Sequence, residues 1–371
     1  LRKEAKTKQQ ARSLGGALAL TKLYNIYKQI SLILFYTGGE FMRKFGILIS
    51  VLLLSVFGSL FAAKLVVYSS VDEANARKIL AAFSKDTGIE VEFVFLSSGP
   101  ALARIEAEKA NPQADVWFGA PMENHIIAKE RGLTMQYKIT IPKEISTRFY
   151  DSKEGYYYPI YMNPLGIGIN MTVLEKMKLP VPESWNDLLK PVYKKTIQYP
   201  NPQSSGTGYT FVAGLIKILG EEAAFKFMKL MAPNVQTYTQ SGTAPSKAVG
   251  IGEAPIGIQF TPAFFQFIDQ GYNIKVVFPK EGVPYEVACL SIIKGAKNVD
   301  AAKKLIEWVL SKEGQQQIVD QKTYFYPIRT DVNFGNLPPL SQIKLVHVDP
   351  KWAADNKTRI VNRWVKDVLP Y

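Results

Sequence analysis

From residue 64 onward, short apolar runs alternate with segments whose apolar residues recur at helical spacing. That alternation restricts the chain to α/β units built around a parallel sheet. Residues 65–68 read as a strand. The segment that follows places Ala76, Ile79, Leu80 and Phe83 on one helical face and stops at Gly88. A second strand over 90–96 leads into a helix with Pro100 in its first turn and Asn111-Pro112 as its stop. A strand over 116–118 and a helix over 122–131, ended by Gly132, complete a first set of units.

The Tyr-rich, extended stretch 156–170 then leaves that set. Helices are expected over 206–219, 221–231 and 262–270, with strands over 256–260 and 274–278. The apolar run 287–293 reads as a strand that carries the chain back, followed by a helix over 300–311 and a tail helix near 356–368. Two crossings between two sets of units imply a hinge and a cleft. The expected fold class is therefore α/β, two Rossmann-like lobes joined by a hinge with crossing strands: 64–160 the first part of lobe I, 161–286 lobe II, and 287–371 the return to lobe I and C-terminal helices. With 371 residues, 47% of them apolar, the chain can fill two cores.

The formal charge of +13 would suggest a nucleic-acid partner if it were evenly spread. Nine of the 45 Lys/Arg and two of the 32 Asp/Glu fall in residues 1–63, so the remainder carries 36 and 30, a balance near +6. No basic block of the kind that tracks phosphates remains, and no nucleic-acid partner is expected. Met42-Arg43-Lys44 followed by the apolar run 45–61 and Ala62-Ala63 has the pattern of a secretory signal peptide. Gly38-Gly39-Glu40 can be encoded by a ribosome-binding sequence ahead of Met42. Residues 1–41 are thus expected to be a mis-called upstream extension, 42–63 a signal peptide, and the mature protein a periplasmic monomer. The alternative is a genuine extension with a membrane anchor.

The sole cysteine, Cys289, lies in an apolar run and reads as a buried small hydrophobe, which excludes an intramolecular disulfide. The two histidines, His125 and His347, have no second metal ligand at a recognisable spacing. His125, among Glu123, Asn124, Lys129 and Glu130, reads as part of a solvated helix face. No nucleophile elbow, phosphate loop or dinucleotide fingerprint occurs, so catalysis is the weaker class and no cofactor is expected.

The chemistry-bearing positions are the junctions between strand ends and helix starts, which in α/β units face the ligand crevice. After the first strand come Ser69 and Ser70, the latter fitting a capping box with Glu73. Ser98 and Gly99 follow the second strand. Lobe II offers Ser205-Gly206-Thr207, Ser241-Gly242-Thr243, and Thr261 as N-cap ahead of Pro262. Any one junction is an ordinary helix cap. Together they would make an anion site that needs no Arg, because glycine lets a ligand oxygen approach the backbone amides. Tyr156, Tyr157, Tyr158 and Tyr161 either line the cleft or brace the interlobe strands.

Several pieces resemble one family. Val67-Tyr68-Ser69, Ala114-Asp115-Val116-Trp117-Phe118, Ser205-Gly206-Thr207, Gly252-Glu253, and Ser311-Lys312-Glu313-Gly314-Gln315 with Tyr326-Pro327 are together similar to the type 2 periplasmic solute-binding proteins of ABC importers, in the ferric-ion-binding group with its sugar-phosphate members. The resemblance implies two lobes that close by hinge bending, capture of a small anionic solute such as a sugar phosphate, and delivery to membrane permease subunits. Ferric-binding members hold iron through a His, a Glu and two adjacent Tyr; those places carry Asp72, Ala120, Pro262 and Ala263 here. In sugar-phosphate members a His-Asp pair after the strand ending at Phe260 reads sugar hydroxyls, where this chain has Thr261-Pro262. Glu281, Tyr285 and Glu286, just ahead of the return strand, are candidates for ligand hydroxyl or amino groups. The alternatives are ferric-iron transport and a phosphate-ester-processing enzyme.

Overall fold

Among the described residues two large hydrophobic cores, with two smaller clusters beside them, share one curled sheet. The computed structural model describes residues 64–146 and 154–369, so the expectations for the upstream extension and the signal peptide lie outside the described residues. The described residues belong to one compact unit. Lobe I starts as expected: β1 (Leu65–Ser69), α1 (Glu73–Thr87), β2 (Val91–Phe95), α2 (Ser98–Ala107), β3 (Val116–Pro121) and α3 (Met122–Glu130). β1 pairs in parallel with β2 and β3, and the face of α1 with Ala76, Ile79, Leu80 and Phe83 is buried.

β4 (Tyr158–Asn170) crosses between the lobes, and all 13 of its residues are buried. Its first half pairs antiparallel with β9 (Val283–Ile292), and its second half with β7 (Ile256–Phe260) and β8 (Ile274–Val277). The changeover is at Pro164, which brings no amide proton to a ladder and whose carbonyl accepts from the Thr261 amide at 3.0 Å and the Thr261 hydroxyl at 3.2 Å. β9 is the second crossing. It begins with Pro284 against Gly214, where a Cβ would come within 2.0 Å of the proline ring, and ends beside β3.

Lobe II contains β5 (Ile197–Pro200), α5 (Gly206–Leu219), α6 (Glu221–Met231), β6 (Val235–Thr239), α7 (Ala244–Gly250) and α8 (Pro262–Asp269), with the short α4 (Met171–Lys176) after β4. Four of these, α4, β5, β6 and α7, were not expected from the sequence. The chain then returns through α9 (Val299–Leu310) and α10 (Lys312–Asp320) to β10 (Tyr326–Pro327), adds β11 (Leu345–Val346), and ends in α11 (Pro350–Asp367). The sheet runs β2-β1-β3-β9-β4-β7-β5-β6, with β8, β10 and β11 off this path.

One core gathers Phe83, Phe118, Ile160, Leu290 and Leu305; the other gathers Ile167, Tyr199, Phe211, Ile258 and Trp364. Helix α11 touches both lobes. Trp364 packs against Tyr238 at 5.1 Å in the second core, and Lys357 reaches Asn124 and Glu123 on α3. Among the described residues no helix is long and apolar enough to cross a membrane.

The Asp115 motif is structural. Its carboxylate accepts from the amides of Val66, Lys297 and Asn298 and from the Asn298 side chain, at 2.8–2.9 Å, tying the start of β1 to the loop before α9. Cys289 is buried, as expected.

Candidate functional site

A cleft with about 590 Å³ of empty space, part of it open to solvent, lies where the two crossing strands meet the helix starts. Lobe I lines it with Ser70, Asp72 and Ser98, lobe II with Ser205, Gly206, Thr207, Gly242 and Thr243, and the crossing strands with Tyr161, Asn163 and Glu286. Among the described residues that line it, none is Lys, Arg or His. The lobes touch over it: the Gly99 amide donates to the Ser204 carbonyl at 3.1 Å, and Gln266 on α8 donates to Asn75 on α1 at 2.8 Å.

The start of α5 is built for close approach. Ser205 is its N-cap, with its hydroxyl accepting from the Gly208 amide at 3.4 Å. The Gly206 and Thr207 amides lie ahead of the helical ladder and so have no intrahelical acceptor. A Cβ on Gly206 would sit 2.6 Å from Pro121 and 2.8 Å from the Ser98 hydroxyl, so only glycine fits here with the lobes together. A Cβ on Gly242 would sit 2.5 Å from the Thr207 hydroxyl and 2.8 Å from that of Ser205. Two helix starts, α2 and α5, therefore meet across the cleft with a third loop at their side. Each carries roughly half a positive charge, but the unpaired N–H donors come mainly from α5, because at α2 Pro100 has no N–H and the Gly99 amide is taken by Ser204.

Of the residues expected at the site, Ser70, Ser98, Ser205, Gly206, Thr207, Gly242, Thr243 and Glu286 are brought together, and Ser69, Gly99, Ser241 and Thr261 are not among the lining residues. Ser69 is fully buried and donates to the Val71 carbonyl. Gly99 serves the interlobe hydrogen bond. Ser241 organises its own loop through Thr243 at 2.9 Å. Thr261 does not cap α8: its backbone is helical, its side chain makes no cap hydrogen bond, and its hydroxyl is spent on Pro164.

Ser70 does not head a capping box either. Asp72 is the N-cap of α1, accepting from the Asn75 amide and side chain, both at 3.0 Å. A carboxylate one residue before the helix displaces the serine two positions further back. Ser70 instead accepts from the Trp117 indole at 3.0 Å, which leaves its own proton for another acceptor. Glu286 lies within β9 rather than ahead of it.

His125 is fully buried rather than solvated. Its Nε2 lies 2.6 Å from the Gly119 carbonyl and its Nδ1 2.7 Å from the Ser291 hydroxyl. A carbonyl only accepts, so Nε2 carries the proton and Nδ1 accepts from Ser291. Burial pushes this imidazole down to about 4. It holds the β3 bulge, where Gly119 and Ala120 both take positive φ, 87° and 72°. That turn aims Ala120 and Pro121 at the cleft.

Sequence reasoning did not single out Asn163, whose side chain donates to Glu286 at 2.9 Å, nor Gln259, which accepts from the Ser246 amide at 2.8 Å. Asn163 stands opposite Glu286 in the β4–β9 register, a pairing that appears only once both strands are placed. Burial, reinforced by Glu123, pushes the Glu286 carboxyl up to about 8, against the opposing effect of the Asn163 hydrogen bond. Burial also raises Asp72, although Asn75 and the more distant Lys247 and Lys78 pull the other way. Tyr161 stacks on Phe325 at 3.9 Å and takes part in lining the cleft.

Comparison with known proteins agrees with this arrangement. A protein of Haemophilus influenzae, described as uncharacterized, is 38% identical over 325 residues, covering 85% of this chain and 94% of that protein. A putative 2-aminoethylphosphonate-binding periplasmic protein of Salmonella typhimurium is 28% identical, covering 68% of this chain and 73% of its own. The periplasmic binding protein AfuA of Actinobacillus pleuropneumoniae, solved with exogenous fructose-6-phosphate bound, superposes with a TM-score of 0.79 at 33% identity, covering 83% of this chain and 99% of its own. Residues 113–353 match the family model of the bacterial extracellular solute-binding proteins. With its two α/β lobes around a lined cleft, the chain belongs to that family, among the type 2 periplasmic binding proteins that serve ABC importers.

Proposed function

We propose that this solute-binding protein captures a small organophosphate or phosphonate, with the oxyanion seated at the start of α5. Members of the family bind solutes for import, and the chain is a binding protein, not an enzyme. The observation that carries the ligand reading is the meeting of α2 and α5 around Gly206, where amides and small hydroxyls surround a space without a basic side chain. An oxyanion is what such donors hold. Ser98, Ser205, Gly206, Thr207, Gly242 and Thr243 would bind it, with Ser70 donating from lobe I. The sugar-phosphate complex of AfuA and the phosphonate named for the Salmonella protein support the same class. A periplasmic location and handover to permease subunits follow from this reading, and the leader-like segment 42–63 supports export.

Ferric iron fits less well. It needs several hard oxygen donors, and the corresponding positions, Asp72, Ala120, Pro262 and Ala263, offer a single carboxylate that already caps a helix.

A thermal-shift panel of phosphate monoesters, phosphonates, carboxylates and polyamines tests the proposal. The expected result is a rise in Tm with a phosphate ester or phosphonate, equivalent to about 2.7 kcal/mol at a hundredfold excess over Kd, and loss of that rise in Gly206→Leu. Stabilisation by a carboxylate or polyamine, with every phosphorus compound silent, would overturn it.

A further inference from the structure

Resting on that reading, we propose that the ligand also carries a protonated nitrogen, held by Asp72, Asn163 and Glu286. The wall of the cleft has two characters. Around Gly206 it presents donors. Where α1 begins and the crossing strands pair, it presents acceptors: the Asp72 carboxylate, the Glu286 carboxylate and the Asn163 amide oxygen. The Tyr161 phenol lines the same cleft, and burial, with the charges of both carboxylates, raises it.

Asn163 is only 2% exposed. Its Nδ2 donates to Glu286, and its Oδ1 is buried without a hydrogen-bond partner. A buried amide oxygen left unpaired is unfavourable by about 1–3 kcal/mol, so a donor from the cleft it lines would relieve it. Glu286, 7% exposed, receives one hydrogen bond at Oε1.

Charge balance points the same way. Two lining carboxylates face a cavity without a lining cation, and the nearby Lys78 and Lys247 are not part of its wall. A phosphate monoester alone would add two negative charges to this space. A neutral hydroxyl would satisfy Asn163 but bring no counter-charge for a carboxylate that ionises beside the ester. An ammonium or a protonated ring nitrogen brings both the donors that this acceptor wall lacks and the opposite charge. Burial favours the protonated Glu286 carboxyl, and a cation that arrives with the ligand supplies the counter-charge against which it ionises.

Calorimetric titration at pH 7 with matched pairs tests this: phosphoethanolamine against ethyl phosphate, and aminobutyl phosphate against butyl phosphate. The expected result is at least tenfold tighter binding of the amino member in one pair, and a ratio near one in Glu286→Gln. Asp72→Asn, which keeps an oxygen to cap α1, should lower the ratio as well, and it serves if Glu286→Gln does not fold. Equal affinities within both pairs, or a ratio that survives both substitutions, would overturn the inference while leaving the phosphate-ester reading intact. No binding by any of the four esters would remove that reading and this one with it.

Discussion

Glu286 and His125 are both buried titratable groups, and their shifts act on stability in opposite directions. The Glu286 carboxyl, ordinarily near 4.5, is pushed up to about 8, so between those values the folded protein keeps a proton that the unfolded chain releases. Its contribution is whole below the lower value and is lost as pH rises through the upper one. His125, ordinarily near 6.5 and pushed down to about 4, contributes stability that is whole above 6.5 and lost as pH falls toward 4. Between 6.5 and 8 the Glu286 effect is still being lost while that of His125 is nearly whole; buried Glu123, also raised, acts with Glu286, and Lys357, lowered by burial, acts against it. Urea unfolding of the ligand-free protein should show a loss of about 1–2 kcal/mol between pH 6.5 and 8, largely removed in Glu286→Gln. A wild-type protein equally stable at both ends would contradict the assignment. At this scale the sequence is legible where a residue acts through its own backbone, as Gly206 does. It is illegible where a residue acts through a distant partner. Ser70 finds Trp117, Thr261 finds Pro164 and His125 finds Gly119, pairings set by tertiary placement rather than local spacing.

Helix α11 joins the lobes at the level of elements. Trp364 is fully buried, 5.1 Å from the Tyr238 ring and 6.3 Å from that of Tyr199, while Arg363 reaches Glu221 and Glu222 on α6 and Lys357 reaches α3. Replacing Trp364 by Ala should lower unfolding stability by about 3–5 kcal/mol, read by denaturant titration. A change within measurement error would show that α11 is not part of the second core. The long amphipathic helices and the buried strands with branched or aromatic residues could be read from periodicity. The elements that could not, β5 and β6, are four and five residues long, and β6 is Val-Gln-Thr-Tyr-Thr with exposed polar positions. Such edge-side strands are set by their parallel neighbours. Helix α7 is also short, and it is held by the hydrogen bond from the Ser246 amide to Gln259 on β7.

For the molecule as a whole, about half of the excess positive charge resides in residues 1–63, and the cleft lining holds carboxyl groups and neutral donors instead of cations. On the proposed reading the donors are the α5 amides of lobe II and the Ser70 and Ser98 hydroxyls of lobe I. The α/β alternation made the two-lobed plan legible, because each lobe repeats its units and β4 is a visible crossing. The acceptor side of the cleft was less legible, because Asn163 and Glu286 are 123 positions apart and meet only in the sheet. The most direct measurement of the central claim is a structure of the protein with a phosphate ester bound. The account predicts ester oxygens about 3 Å from the Gly206 and Thr207 amides and from Ser98 of the facing lobe. An ester bound away from the start of α5, or held through Lys and Arg side chains, would contradict it.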